Sequence, residues 1–258
     1  MIGCLIAMTL LPAAFIIGCS DNQSPSTPMG LSGPTATPTI TRTPAPTATP
    51  QAAQTPVNLL SAGSFVVLAY STITNVGHTT LCGDLGLSPG SAVVGAPIVT
   101  CGGVYHVTDT AAASAKVDLS AAYTDAGGRI NPALVAGDLG GQTLYPGLYK
   151  STSSLMISSG DLTLDAQGNP NGVFIFQVAS ILSTGSNRKV ILAGGAKATN
   201  VFWQVGSSCV IASNSKFVGT IMAHTQINLN IGASLVGRAM SEIEQVTLNT
   251  NVITKPAP

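Results

Sequence analysis

The residues best placed to do chemistry in this sequence are short polar side chains near the C-terminus that alternate with apolar ones. In INLN, residues 227–230, and VTLN, residues 246–249, the apolar residues take every second position, and Asn and Thr take the others. A period of two indicates β-strands whose apolar side chains face inward and whose polar side chains face solvent. Hydroxyl and amide groups both donate and accept hydrogen bonds. The pattern therefore predicts that a grid of hydrogen-bonding groups is the working surface of the protein.

These strands belong to a near-repeat that would hold the grid rigid. Residues 201–219, 220–238 and 239–254 are similar to one another, and each contains short alternating runs separated by small turn residues. A period of about 20 residues with this composition is typical of a β-solenoid. Rungs of such a stack lie about 4.7–4.9 Å apart, so outward residues recur at a fixed spacing. Pro256 cannot continue a hydrogen-bonded ladder, which favours an edge position for the last strand.

Composition limits the classes of partner. The chain has 258 residues and a formal net charge of zero, with 8% charged and 45% hydrophobic residues. This length can form one sizeable core plus tails. Neutrality argues against nucleic acid, which is bound mainly through basic side chains. A surface with so few charges is not expected to bind a polyion.

The N-terminal 56 residues do not have the composition of a folded domain. Residues 1–19 form an apolar run too short to span a bilayer comfortably. The run ends in Ile17-Gly18-Cys19, similar to a bacterial lipobox, and predicts lipidation at Cys19 and an extracellular or cell-surface location. An ordinary secretory signal peptide is the alternative. Residues 20–56 are rich in Pro, Thr and Ser and predict a disordered linker, followed by a folded domain over residues 57–255.

The remaining cysteines favour structural roles. Cys82 and Cys101 flank a loop rich in Gly and small residues, and in an exported protein we expect them to pair as a disulfide. Cys209 alternates with Ile211 and is interpreted as an inert buried thiol. The three histidines are scattered without the spacing of metal ligands, so neither a metal nor another cofactor is expected.

One α-helix is predicted over residues 109–126. Thr108 or Asp109 could cap its N-terminus, and Gly127-Gly128 could end it. The predicted apolar stripe consists of Ala113, Val117 and Ala121 together with the Leu119–Tyr123 pair.

Six segments together resemble the large microbial ice-binding protein family. They are YTDAGGRINP, LGGQTLYPGLYK, GVFIFQV, GGAKATNVFWQV, GTIMAHTQINLNIGASLVGRAM and VTLNTNVIT. The resemblance covers about residues 57–255 and implies a discontinuous right-handed β-helix of triangular cross-section with one long α-helix alongside. It also implies a monomer that adsorbs to the surface of ice crystals through one flat β face and limits ice growth and recrystallisation.

The sequence departs from that family at its most typical residue. Members often carry Thr in the middle of the second alternating run of each rung. The corresponding residues here are Met156, Thr163, Ile191, Val210, Asn228 and Thr247, of which only two are Thr. The C-terminal rungs fit best, and Asn251 extends their outward series.

Three interpretations follow from this departure. The chain uses a mixed face of Thr, Asn and apolar residues, or a different face that includes Thr72 and Thr74 of the first strand, or it has lost activity on ice. The candidate ice-binding residues are Thr163, Ile191, Val210, Asn228, Asn230, Thr247, Asn249, Thr72 and Thr74.

Two other classes of function compete with ice binding. A lipid-anchored adhesin or polysaccharide-binding solenoid would need exposed aromatic side chains, but Trp203 lies in the alternating VFWQV run, where core packing is expected. A polysaccharide-cleaving enzyme would need paired carboxylates, for which Glu242 and Glu244 are the candidates. Because no nucleophile elbow, phosphate loop or metal motif accompanies them, the sequence favours a protein that is not an enzyme.

Overall fold

A computed structural model of the protein describes residues 51–257, which form a three-sided β-solenoid with one α-helix packed against it. The predicted leader, the lipidation site Cys19 and residues 20–50 of the predicted linker lie outside the described residues. Gln51 and Thr55 already contact the domain: the Gln51 side chain accepts a hydrogen bond from Leu148 N at 2.6 Å, and Thr55 O accepts one from Arg129. These contacts lie N-terminal to the predicted boundary at residue 57.

The strands are short and fall into two groups on either side of the helix. A 3-10 helix, Leu60–Ser64, precedes the first group, and a second one, Ala198–Asn200, lies within the second group. The first group contains β1 (Phe65–Ala69), β2 (Thr72–Val76), β3 (Thr80–Cys82), β4 (Asp84–Leu87), β5 (Ala92–Val94), β6 (Ile98–Thr100) and β7 (Tyr105–Val107). The helix α1 (Thr110–Gly128) follows. The second group contains β8 (Ala133–Leu134), β9 (Gly137–Asp138), β10 (Thr143–Leu144), β11 (Gly147–Ser151), β12 (Leu155–Ile157), β13 (Leu162–Asp165), β14 (Phe174–Val178), β15 (Leu182–Thr184), β16 (Val190–Ala193), β17 (Val201–Val205), β18 (Cys209–Ile211), β19 (Lys216–Ala223), β20 (Ile227–Leu229), β21 (Ser234–Ser241), β22 (Val246–Asn249) and β23 (Val252–Thr254).

All pairings between these strands are parallel, and they form three faces. Face A comprises β8, β11, β14, β17, the second halves of β19 and β21, and then β1, β4 and β7. Face B is the eight-stranded sheet β9-β12-β15-β18-β20-β22-β2-β5. Face C comprises β10, β13, β16, the first halves of β19 and β21, and then β23, β3 and β6.

Two strands turn the corner between faces C and A without interruption. β19 and β21 bend at Gly219 and Gly237, which pair with each other. Gly219 has φ +103°, and a Cβ on Gly237 would lie 1.9 Å from Gly219 O. Only glycine permits this combination of backbone conformation and close approach, so the repeat of Gly at this corner is a steric requirement.

The N-terminal strands complete the stack beneath the C-terminal ones. β22 pairs with β20 on one side and β2 on the other, and β23 lies between β21 and β3. The prediction that the last strand lies at an edge is therefore wrong, because β1–β7 continue the solenoid past residue 254. The helix then returns the chain to the opposite end, where β8–β10 begin.

The solenoid interior is a continuous apolar core. It contains a stack of aromatic rings in which Tyr149 and Phe176 have centroids 5.2 Å apart, and Phe176 and Trp203 have centroids 4.0 Å apart. Trp203 is fully buried, and its indole N–H donates to Val218 O at 2.9 Å. The prediction of a core role for Trp203 is confirmed.

The helix covers face A, which is why the strands beneath it are apolar on both sides. Asp109 is the N-cap, and its carboxylate accepts a hydrogen bond from Ala112 N at 2.8 Å. At the other end, the side-chain amide of Gln177 donates to Ala126 O, Gly127 O and Arg129 O at 2.9, 3.2 and 2.9 Å. The helix thereby spans the stack from β4 to β14.

The helix buries a different face from the one that its predicted apolar stripe indicates. The buried residues are Ala112, Ala115, Leu119, Ala122 and Ala126. Ala113 and Ala121 are exposed, and Val117 is 71% exposed. Lys116 fixes this orientation, because its ammonium group donates to Ser241 O and Glu242 O, and its burial lowers its pKa to about 8. Of the predicted stripe, only Leu119 and the half-buried Tyr123 face the solenoid.

The three cysteines within residues 51–257 have the predicted structural roles. Cys82 and Cys101 form a disulfide that ties β3 to the turn after β6. Cys209 is a buried free thiol facing the core, and its burial raises its pKa. No helix within residues 51–257 has the length and hydropathy needed to cross a membrane.

Candidate functional site

The helix packs on face A and leaves face B, a sheet of eight strands, uncovered. Each strand contributes one outward-facing residue, which is the middle one in β12, β15, β18, β20 and β2, and strand pairing brings these residues into one column. In order along the stack the column reads Asp138, Met156, Ser183, Val210, Asn228, Thr247, Thr74 and Val94.

The register of face B is regular from end to end. Each of its seven pairings continues without a shift, whereas face A contains an irregularity between Phe65 and Val67. The inward neighbours hold the strands in place: Ile227, Leu229, Val246 and Leu248 are all buried, as their alternation predicts. With strands about 4.8 Å apart, the column is roughly 34 Å long.

Apart from Asp138 at its end, the column offers hydrogen bonding and apolar contact without charge. From Met156 to Val94 it contains hydroxyl, amide and aliphatic side chains. Asp138 is the one acid, and it lies at the terminal strand. Its carboxylate binds to the turns that follow β9 and β12, where it accepts hydrogen bonds from Gly140 N, Ser158 N, Ser158 Oγ and Ser159 N at 2.6–2.8 Å. Burial tends to raise the pKa of Asp138, but these hydrogen bonds outweigh it and hold the pKa well below its usual range.

The structure brings together seven of the nine candidate residues. On face B or at its edge lie Val210, Asn228, Asn230, Thr247, Asn249, Thr72 and Thr74. Thr163 and Ile191 pair with each other on β13 and β16 of face C. The prediction that both belong to one column with Asn228 is therefore wrong.

Ser183 takes the place in the column that Ile191 was expected to fill. Each rung contains three short strands of similar length, one for each face. In the early rungs longer loops separate these strands, so the sequence does not show which strand belongs to face B. Ser183 escapes prediction for this reason, whereas Val94 escapes it because β5 precedes the helix and lies outside the sequence repeat. The SILSTG run carries the signal for Ser183, because its LST triplet aligns with the later CVI and INL triplets.

Buried amides set the corner between faces B and C. Asn251 is fully buried, donates to Asn230 O and Ala233 O at 2.9 Å each, and accepts from Asn249 N at 2.6 Å. The sequence predicted that Asn251 extends the outward series. This prediction is wrong, because the side chain is buried. Asn75 is buried in a similar way and donates to Gly77 O and Gly95 O. These side chains satisfy carbonyls that the turn leaves unpaired and so hold the edge of face B.

One member of the candidate catalytic pair, Glu242, is held by contacts with the helix and with a histidine. Glu242 and Glu244 follow β21 in the turn to face B. The Glu242 carboxylate accepts from Ser120 Oγ at 2.8 Å and contacts His224 Nδ1 at 2.9 Å, so it joins the helix to the corner. Within residues 51–257, no group of three His, Cys, Asp or Glu side chains could hold a metal ion.

The fold and this surface define a class of protein: a three-sided β-solenoid with a helix on one face and an open, regular and nearly uncharged second face. A model of the Ice-binding-like family matches residues 67–254. The chain belongs to this family, as the resemblance of its sequence segments predicted.

Curated relatives and solved structures agree with this assignment. An ice-binding protein of Nostoc sp. (strain HG1) is 41% identical over 196 residues, covering 75% of this chain and 72% of the relative. One from Flavobacterium frigoris (strain PS1) is 38% identical over 218 residues, covering 78% and 76%. The crystal structure of an ice binding protein from an Antarctic biological consortium is 44% identical and superposes with a TM-score of 0.78, covering 82% of this chain and 97% of that one. An ice-binding protein from an Arctic yeast has 33% identity and a TM-score of 0.72, covering 79% and 96%.

Proposed function

We propose that the chain binds ice through face B and thereby inhibits ice growth and recrystallisation. The observation that carries the proposal is the unbroken column of uncharged side chains from Met156 to Val94 on an uncovered parallel sheet. The names of its relatives support the same function, since they are ice-binding proteins.

The mechanism rests on rigidity and repetition. Side chains at fixed strand spacing hold first-shell water in a periodic pattern that the ice lattice can share. Thr74 and Thr247 suit this role because their branched Cβ restricts the rotamer while presenting a methyl and a hydroxyl group. Many weak contacts made at once detach together only rarely, so adsorption is effectively irreversible. An adsorbed protein forces the ice front to curve between neighbouring molecules, which opposes further growth.

Face B of this chain is a mixed surface. The half of the column that ends at Val94, which we call the lower half, contains the neighbouring residues Asn228, Thr247 and Thr74. The upper half, which ends at Asp138, is more apolar because it contains Met156 and Val210. We assign the strongest contact to the lower half, where hydroxyl and amide groups adjoin in three successive strands. Asn230, Asn249 and Thr72 flank this segment and widen it.

The test replaces one face B residue at a time with Tyr in the full chain. Thr247→Tyr and Asn228→Tyr should each reduce thermal hysteresis and recrystallisation inhibition several-fold, because a ring lifts the flat face off the lattice. The matched control is Thr163→Tyr on face C, which should keep full activity. Loss of activity in the control alone would assign adsorption to face C. Rounded ice crystals with the parent chain would reject ice binding altogether.

We also propose that the chain acts as a monomer outside the cell and is anchored at the surface through a lipid on Cys19. The lipobox-like Ile17-Gly18-Cys19 supports this assignment. Mass analysis of the N-terminus of the exported protein is the test. An acylated Cys19 is the expected result, and an unmodified N-terminus at Ser20 would remove the anchor.

A further inference from the structure

Face C carries a cluster of cations in an arrangement that is unusual for a β-sheet. Lys189, which directly precedes β16, and Lys216, the first residue of β19, pair through an isolated parallel β-bridge, and both side chains are exposed. Arg188 precedes Lys189, and its carbonyl accepts a hydrogen bond from Lys216 N at 2.9 Å. We call Arg188, Lys189 and Lys216 the basic patch.

The arrangement is costly for the isolated chain. Like charges at directly opposed positions of paired strands repel and destabilise the pairing. Among residues 51–257, none of the three cations lies within ion-pair distance of a carboxylate. The nearest acid in the hydrogen-bond network is Asp161, which accepts from Lys189 N at 2.9 Å and offsets part of the charge. The patch thus retains unpaired positive charge in a chain with few charges.

The surroundings of the patch indicate the shape and chemistry of its partner. Ile191 points to the same side as Lys189 and is 41% exposed. Cations beside an exposed aliphatic side chain on a flat sheet fit a broad surface with anionic groups above apolar material. A phospholipid headgroup layer has these properties, and its surface potential attracts basic side chains. The patch lies at the start of face C, where the turn from face B ends.

We propose that the basic patch docks the chain onto anionic phospholipid headgroups. This inference does not depend on ice binding. It complements the lipid predicted at Cys19, because a single acyl chain holds a protein only marginally and a basic patch supplies the second attraction. Each cation near such a surface strengthens binding by about five-fold. The overall neutrality of the chain, which argues against a polyanionic partner, conceals this local concentration of charge.

The experiment measures how the full chain partitions between phosphatidylglycerol and phosphatidylcholine vesicles. The ratio of the two partition coefficients is the readout, since apolar contributions from the shared N-terminus cancel in it. Lys189→Gln combined with Lys216→Gln should lower the ratio roughly 25-fold, and Asp161→Asn should raise it about five-fold. The matched control is Lys255→Gln, an exposed cation outside the patch, which should change the ratio little.

Three outcomes would overturn the proposal. The first is an equal partition ratio in the double variant and its parent. The second is a ratio in the Lys255→Gln control as low as that of the double variant. The third is retention of the chain on an anionic polysaccharide without preference for anionic vesicles. Ice shaping by the same variants separates this test from the proposed function, because it should be unchanged whether or not the patch binds lipid.

Discussion

Asparagine serves two different purposes in successive rungs of this solenoid. Asn228 faces outward in the middle of face B, where its amide is available to water. Asn251 is fully buried at the corner and makes three hydrogen bonds to backbone groups. Alternation alone identifies the first role, because the neighbours of Asn228 are buried aliphatic residues. The second role depends on a turn whose open carbonyls the alternation does not reveal.

The same substitution should affect stability at Asn251 and activity on ice at Asn228. Asn251→Leu removes the partners of Asn230 O, Ala233 O and Asn249 N, and we expect it to destabilise the fold by about 3 kcal/mol or more. Asn228→Leu should change the free energy of unfolding by less than about 0.5 kcal/mol while weakening thermal hysteresis. Chemical denaturation and hysteresis of both variants are the measurements. Equal stabilities would contradict the assigned role of Asn251.

Asp138 gives face B a pH-dependent end. Burial opposes the charge of Asp138, but four hydrogen bonds favour it more strongly, so its pKa is lower in the folded chain than in the unfolded one. Its contribution to stability is then fully present above the unfolded value near pH 3.8 and is lost as the pH falls below it.

Asp138→Ala tests this dependence. The variant should melt at a lower temperature than the parent at pH 7, and the difference should shrink as the pH drops below about 4. Melting curves between pH 2.5 and about 7 measure it, with Asp161→Asn as a comparison at a nearby corner. A difference that stays constant over the whole range would contradict the role of the ionised carboxylate.

The side-chain amide of Gln177 joins the helix to the sheet. Gln177 is buried on β14 and donates to three carbonyls at the end of α1, which otherwise lack partners. Gln204 occupies the paired position on β17 but is only half-buried. The two residues are therefore matched in type and register but differ in their contacts with the helix terminus.

Gln177→Leu should destabilise the fold by roughly 2–3 kcal/mol, because it leaves helix carbonyls without donors inside the protein. Gln204→Leu should cost less than about 1 kcal/mol. Thermal unfolding followed by circular dichroism is suitable, since the helical signal reports on α1. If both variants melt together, the capping amide is not the contact that fixes the helix.

The existence of the helix could be predicted from the sequence, but its rotation could not. Asp109 followed by an alanine-rich segment is a sufficient helix signal, and the structure agrees within two residues at the C-terminus. Alanine occupies several faces of α1, so the sequence does not determine which face is buried. The contacts of Lys116 with Ser241 O and Glu242 O, more than a hundred residues away, decide which face is buried.

At the scale of the whole molecule, the order of rungs in space differs from their order in sequence. The run from β11 to β23 is locally repetitive and could be predicted as a solenoid. The pairing of β1 with β21 and of β2 with β22 joins segments far apart in the chain, and no local period encodes it. The family resemblance supplied this discontinuity. Local sequence alone favours an edge position for the last strand, because Pro256 follows it.

This arrangement predicts an uneven distribution of local stability. β19 and β21, each eight residues long, are paired on both sides at the centre of the stack. The strands β8, β9 and β10 form one end, and each contains only two residues with one paired neighbour. Local opening should therefore begin at residues 133–144.

Hydrogen exchange followed by mass spectrometry tests the distribution. Amides of residues 133–144 should exchange at least about ten-fold faster than those of residues 216–223. The opposite end, residues 92–107, is also paired on one side, but the Cys82–Cys101 disulfide ties it to β3. Reduction should accelerate exchange there and leave residues 133–144 unchanged, because the crosslink restricts only the loop that it closes. Uniform exchange along the stack would mean that the solenoid opens as one cooperative unit, and that its ends are held by contacts other than strand pairing.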